Sequence, residues 1–202
     1  MRASTRREFV AGPAGKIECA VDAPAGTARA GVDAARGVAL VAHPHPQFGG
    51  TLDNKVVQTL AKAFVELGYE AWRPNFRGIG ESEGSYDGGK GEVEDLFAVH
   101  QKIKPVVLAG FSFGAAMQAI LATRVKVERM VLVGVAVTNF EVPKVPADTL
   151  VIHGENDDTV PLVAVLEWAR PQDLPVVLVP GADHFFHRKL HLLRAIVLAN
   201  WH

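Results

Sequence analysis

Gly110-Phe111-Ser112-Phe113-Gly114 sets a serine between two glycines in the spacing G-x-S-x-G. An apolar run over 105–109 precedes it and a helix-forming run over 115–122 follows. A chain that reverses straight from strand to helix crowds its own backbone, and glycine on both sides relieves the crowding. The serine then stands at the tip of a nucleophile elbow, with free helical N–H groups behind it. A serine hydroxyl is a poor nucleophile at neutral pH and needs a base to take its proton. Histidine titrates near neutrality and can return that proton later, so activity should fall in acid with one ionisation near about pH 6–7. A carboxylate on its far nitrogen fixes the tautomer. His184 lies in a loop after the apolar run 175–179, and Asp157 and Asp158 lie in a loop after the run 149–152. Serine, acid, histidine is the chain order such a site requires, and it points to hydrolysis by acyl transfer with no cofactor or metal.

The elements that must hold these residues can be read from the apolar pattern. Two opening strands are expected around Phe9-Val10 and over 17–21, then a loop over 22–37. The continuous apolar run 38–42 reads as a strand covered on both faces. Apolar residues at 52, 56, 57, 60, 63, 64 and 67 predict a helix closed by Gly68. A strand over 69–73, a helix over 92–103, the elbow strand and helix, a strand over 129–137, helices over 162–169 and 190–201 complete the pattern. Strands alternating with helices imply an α/β fold around a mostly parallel sheet.

At 202 residues and 49% hydrophobic content, the length and composition fit a single domain over 1–202 with a substantial core. The 21 basic and 22 acidic residues nearly cancel and form no basic stripe, so nucleic acid is not expected as a partner. No apolar run reaches the roughly 18–20 residues of a membrane span. No apolar segment follows Arg6-Arg7, so neither a secretory signal nor a membrane partner is expected, and the expected location is cytoplasmic. Cys19, the single cysteine, cannot close an internal disulfide and reads as a packing residue in an alternating strand. A homodimer is left open.

These motifs are similar to those of the α/β-hydrolase superfamily, and the chain most resembles its small, lidless, dienelactone-hydrolase-like serine esterases. The resemblance runs from about Gly37 onwards. Besides the elbow, it is carried by His43-Pro44-His45-Pro46 with Gly49-Gly50, by Asn75-Phe76-Arg77-Gly78-Ile79-Gly80-Glu81-Ser82, and by the loop ending Val160-Pro161. It implies the α/β-hydrolase fold, a mostly parallel central sheet with helices on both faces. The link over 138–148, with Pro143 and Pro146, is too short for the helical lid that many such hydrolases insert, so no cap domain is expected. It further implies a carboxylesterase-type hydrolase of a small-molecule ester, with Ser112 as nucleophile and His184 as base and then acid. Residues 154–161 resemble the G-x-x-D-x-x-V-P arrangement of the family, which selects Asp157 over Asp158 as the orienting acid. Dienelactone hydrolases proper carry cysteine at the elbow, and Ser112 favours ordinary ester cleavage. A thioesterase or small-amide hydrolase would use the same residues, whereas a non-catalytic binder would not need all three.

Two backbone N–H groups should bind the charge that develops on the carbonyl oxygen. Phe113 supplies the first. The second belongs to the loop after the 38–42 strand, where Pro44 and Pro46 have no N–H to give. His45 fills the slot that resembles the residue after His-Gly in related enzymes, with Gln47 as second choice. Of the four phenylalanines flanking the motifs, Phe111, Phe113, Phe185 and Phe186, about half read as core packing, and Phe111 and Phe185 are assigned to binding the substrate. With no lid, the site should be open and favour short acyl groups of about two to six carbons. His43, His45 and Asp53, or His184, His187 and His191, make poor metal sets for want of further ligands. Arg77-Gly78-Ile79-Gly80 fails the dinucleotide spacing because Gly84 comes one residue late. Arg77 is expected to pair with a carboxylate within 87–95.

Overall fold

The computed structural model describes residues 4–24 and 35–201. Most of the loop expected over 22–37, and residues 1–3, lie outside them. The strands are β1 (Ser4–Gly12), β2 (Gly15–Ala23), β3 (Gly37–Ala42), β4 (Tyr69–Pro74), β5 (Val107–Phe111), β6 (Arg129–Val133), β7 (Leu150–Gly154) and β8 (Val176–Val179). The helices are α1 (Lys55–Glu66), α2 (Lys90–Ile103), α3 (Phe113–Ala122), α4 (Leu162–Ala169) and α5 (Leu190–Ala199). The strands form one sheet in the order β1-β2-β4-β3-β5-β6-β7-β8. β1, β2 and β4 pair antiparallel, and every pairing from β4 through β3 to β8 is parallel.

Period-two alternation along the parallel strands divides the core. Ala39, Val41, Val107, Ala109 and Phe111 face α1 and α5, where Val57, Leu60, Phe64 and Val197 cover them. Leu40, Ala42, Leu108 and Leu132 face α2 and α3, against Leu96, Val99, Ala116 and Met117. Both faces of the sheet are therefore covered, which explains the unbroken apolar runs. Cys19 is fully buried on the second face, and burial pushes its thiol up to about 12, so it stays protonated and packs.

Three of the boundaries that differ from the sequence expectation lie next to the site. α1 starts at Lys55 instead of Leu52, because the Asn54 side chain accepts from Val56 and Val57 N–H as its N-cap. Leu52 is buried ahead of the helix, its N–H held by Asn75 Oδ1 at 2.8 Å. β6 stops at Val133 instead of Val137, because Gly134 turns left-handed at φ 52°. The elbow strand runs on to Phe111, past Ala109.

β3 has β4 on one side and β5 on the other, so the chain leaves β3 in one direction and arrives at β5 from the other. Such a switch of strand order opens a crevice beyond the carboxyl ends of the strands, where ligands of open α/β sheets bind. The residues 43–54 after β3 and the serine after β5 meet there. Residues 134–149, between β6 and β7, contain no helix and no strand, so no cap is inserted at this edge.

Candidate active site

Ser112 joins β5 to α3 at φ 54° and ψ −116°, a conformation that costs a non-glycine residue energy and persists only where its surroundings enforce it. The enforcement is visible. Ser112 N–H is fixed to Val133 O at 2.9 Å, and Gln118 Nε2 ties α3 to Leu40 O and Ala109 O at 3.0 and 3.1 Å. A Cβ on Gly110 would meet Gly114 C at 2.5 Å, and one on Gly114 would strike the carbonyls of Ala42 and His43. Both glycines are thus required by close backbone approach.

Asp157 follows β7 by three residues. Its Oδ1 accepts from Thr159 N at 3.0 Å and Val160 N at 2.7 Å, which leaves Oδ2 free to point at His184. Asp158 faces solvent, and among the described residues its carboxylate accepts a hydrogen bond only from Thr159 Oγ1, at 3.4 Å. The His184 loop is fastened to the Asp157 loop by Asn156 N–H on Ala182 O at 2.8 Å. His184 Nδ1 lies 2.7 Å from Asp157 Oδ2, and its Nε2 lies 3.0 Å from Ser112 Oγ. Asp157, as a carboxylate, can only accept, so Nδ1 carries the proton and Nε2 accepts from the serine. Ser112, Asp157 and His184 are all buried.

The N–H of Phe113 is the first of α3, and among the described residues neither it nor the N–H of His45 has a hydrogen-bond partner. Gln47 N–H, the second choice for that role, is engaged by His45 Nδ1 at 3.3 Å. The loop carrying His45 is anchored by His43. Phe76 N–H donates to His43 Nε2 at 2.9 Å, so the Nδ1–H donates to Pro44 O at 2.6 Å. Complete burial lowers the His43 pKa to about 4, and with both nitrogens in use it is a strut.

No family model matches the chain. A structure of an α/β serine hydrolase without lid, XC6422 from Xanthomonas campestris, is 34% identical and superposes with a TM-score of 0.88 over 99% of this chain and 94% of its own. A structure of an α/β serine hydrolase homologue from Coxiella burnetii is 37% identical, with a TM-score of 0.87 over 98% of this chain and 97% of its own. This chain belongs to the α/β-hydrolase superfamily. An uncharacterized protein of Rickettsia prowazekii, RP471, is 32% identical over 174 residues, 75% of this chain and 73% of that protein.

The hydrolase has a cavity of about 520 Å³ beside Ser112. Its wall is drawn from separate loops: His45 and Phe48 after β3, Tyr86 before α2, Asn139 and Phe140 between β6 and β7, and Val160 after β7, with Phe113 at the elbow. The lidless link itself folds Phe140 against Phe113 at 5.2 Å between ring centroids, which walls the site on that side. The two phenylalanines assigned to substrate binding stand apart from this wall. Phe111 is fully buried beneath His184, with ring centroids 4.8 Å apart, and does not reach the cavity. Phe185 is 45% exposed, flanks His184 at 5.1 Å and lies outside the cavity wall. Phe113 lines the cavity.

His153 is fully buried beneath this site. Its Nε2–H donates to Val160 O at 3.0 Å and stands 3.6 Å from Asp157 Oδ2, while Nδ1 has no partner. Burial lowers its pKa, which keeps the ring neutral. His187 pairs with Asp183 at 2.7 Å on the surface, and His191 is exposed on α5. Arg77 makes the expected carboxylate pair, two bonds to Asp95 at 2.7 and 2.8 Å, which holds the chain after β4 against α2. Among the described residues no helix is long and apolar enough to cross a membrane.

Proposed function

We propose that this hydrolase cleaves small carboxylic esters through an acyl-enzyme on Ser112. The observation that carries the reading is the Asp157–His184–Ser112 row, bonded at 2.7 and 3.0 Å, opening on a cavity flanked by two unpartnered N–H groups. Ser112 Oγ attacks the ester carbonyl as His184 Nε2 takes its proton. Asp157 Oδ2 holds the Nδ1–H and stabilises the imidazolium. Phe113 and His45 N–H groups receive the carbonyl oxygen as it becomes an oxyanion. His184 then gives its proton to the departing alcohol, and the cycle runs again with water to release the acid and free Ser112.

The leaving group departs on the side of His184, which protonates it. The cavity wall includes His45, Phe113 and Tyr86 but not His184, so the cavity is the acyl side. Among the described residues its walls carry no lysine, arginine, aspartate or glutamate, which favours an uncharged acyl group. The test pairs a fluorophosphonate probe with 4-nitrophenyl butanoate. Labelling at Ser112, together with turnover and a trapped butanoyl adduct on the same residue, is the expected result. A protein that neither labels nor turns over would end the proposal.

A further inference from the structure

We propose that Tyr86 reads the substrate: its hydroxyl proton is offered to a neutral oxygen on the acyl chain, an ether, hydroxyl or amide carbonyl a few bonds from the scissile carbonyl. The inference rests on the ester reading above and adds a selectivity to it.

The direction of that proton follows from the neighbouring ring. Gln47 N–H donates to His45 Nδ1 at 3.3 Å, so Nδ1 is an acceptor and the proton of the neutral imidazole sits on Nε2. His45 Nε2 lies 3.1 Å from Tyr86 Oη. The Nε2–H therefore donates and the phenol oxygen accepts. A phenol that accepts one bond still has its own proton to give. Among the described residues no other group takes it, and Tyr86 lines the cavity together with Ser112.

Tyr86 is also held where a substrate would meet it. Its ring stands 4.9 Å from His45 and 6.1 Å from Phe113, and those two rings stand 5.0 Å from each other. Phe113 and His45 are the residues whose N–H groups receive the oxyanion, so the hydroxyl sits beside that end of the acyl group. The preference for a neutral acceptor comes from the walls, which lack any cation to hold a carboxylate. An apolar acyl chain lying over Tyr86 would displace water from the phenol proton without replacing its bond, and a chain with an oxygen there would replace it.

The test uses isosteric ester pairs in which one methylene is exchanged for oxygen: 4-nitrophenyl methoxyacetate against butanoate, and 3-methoxypropanoate against pentanoate. The quantity read is the kcat/KM ratio within each pair, compared between the unaltered enzyme and Tyr86→Phe. Intrinsic ester reactivity is the same for both enzymes, and any loosening of His45 acts on both members of a pair, so neither moves the comparison. Tyr86→Phe should lower the ether-to-alkyl ratio about fivefold in at least one pair. Ratios that stay within twofold in both pairs would overturn the proposal. The unaltered enzyme gives a second reading should the variant fold poorly. Its ratio, divided by that of the hydroxide-catalysed reactions, should exceed one in at least one pair, and a value at or below one in both counts against Tyr86. Failure to hydrolyse any of the four esters would remove the esterase reading itself, a result distinct from turnover of all four with unmoved ratios.

Discussion

Ser112, Asp157 and His184 follow their strands β5, β7 and β8 by one, three and five residues, whereas the cavity wall beside them is drawn from separate loops. The row is fixed by backbone: two glycines that tolerate no Cβ, two N–H bonds on Asp157 Oδ1 and a main-chain bond between the two loops. The wall is fixed by ring contacts, as of Phe113 with His45 and Phe140. Reacting atoms must be held to fractions of an ångström, and a stiff strand end does this. Side-chain walls can vary without moving those atoms. Changes in the row should therefore act on kcat and changes in the wall on selectivity.

The largest effect is expected at the elbow. Ser112→Ala should lower kcat by on the order of 10⁴-fold or more while the fold survives, since alanine occupies the same backbone with only the hydroxyl lost. Steady-state rates with an unfolding curve check both halves. A variant with near-normal turnover would show that the row is not the reacting centre.

Next is the choice between neighbouring acids. Asp157→Asn should cost roughly 10³–10⁴-fold in kcat, because the amide can turn its NH₂ towards His184 and stabilise the wrong tautomer. Asp158→Asn should change kcat little, as its carboxylate faces solvent and meets only Thr159. The reverse ranking would break the comparison at its centre.

The row was legible in the sequence because each member sits in a short local motif after an apolar run. The fold was legible for the same reason, since strands covered on both faces read as unbroken hydrophobic segments. The wall was not. Tyr86 lies among glycine, serine and acidic residues with neither helical nor strand periodicity, and only the tertiary fold brings it to His45. Phe111 shows a signal that was present but cut short. With the apolar run ended at Ala109, the position of Phe111 beside the serine assigns it to the substrate. Continued to its observed end, the alternation sets Phe111 on the face of Val107 and Ala109, under α1 and α5. The lidless link was read correctly as short, but shortness did not reveal that Phe140 would turn inward.

A smaller effect tests the strut that holds the His45 loop. His43 has its pKa lowered from 6.5 to about 4 by complete burial. As pH falls below about 6.5 the unfolded chain takes up this proton and the folded one does not, so stability declines until about pH 4. At about 1.4 kcal/mol per unit, His43 alone should remove about 3 kcal/mol across that window. His45, His100 and His153 are shifted in the same direction by burial and add to the slope. Denaturant unfolding between pH 7 and 4.5 should show a steeper loss in the unaltered protein than in His43→Asn. Parallel slopes would mean that the strut is not buried neutral.

The smallest effect should come from the wall. Phe140 sits in the link without a lid, packs on Phe113 and borders the cavity, and among the described residues its ring does not stack on His184. Shortening it to alanine extends the space available to an acyl chain and leaves Ser112, His184 and Asp157 where they are. Each further methylene buried there contributes about 0.8 kcal/mol, or roughly fourfold in kcat/KM. The unaltered enzyme should favour acyl chains of about two to six carbons, since Phe140 and the neighbouring rings bound the cavity. Phe140→Ala should move that optimum outward by one or two carbons, with octanoate gaining a few-fold on butanoate and kcat for the best substrate kept within about threefold. Profiles of kcat/KM against chain length decide it. An unchanged optimum would mean that Phe140 does not bound the acyl group. A large fall in kcat for every ester would mean that wall and row are mechanically one unit, and the division drawn between them would have to be abandoned.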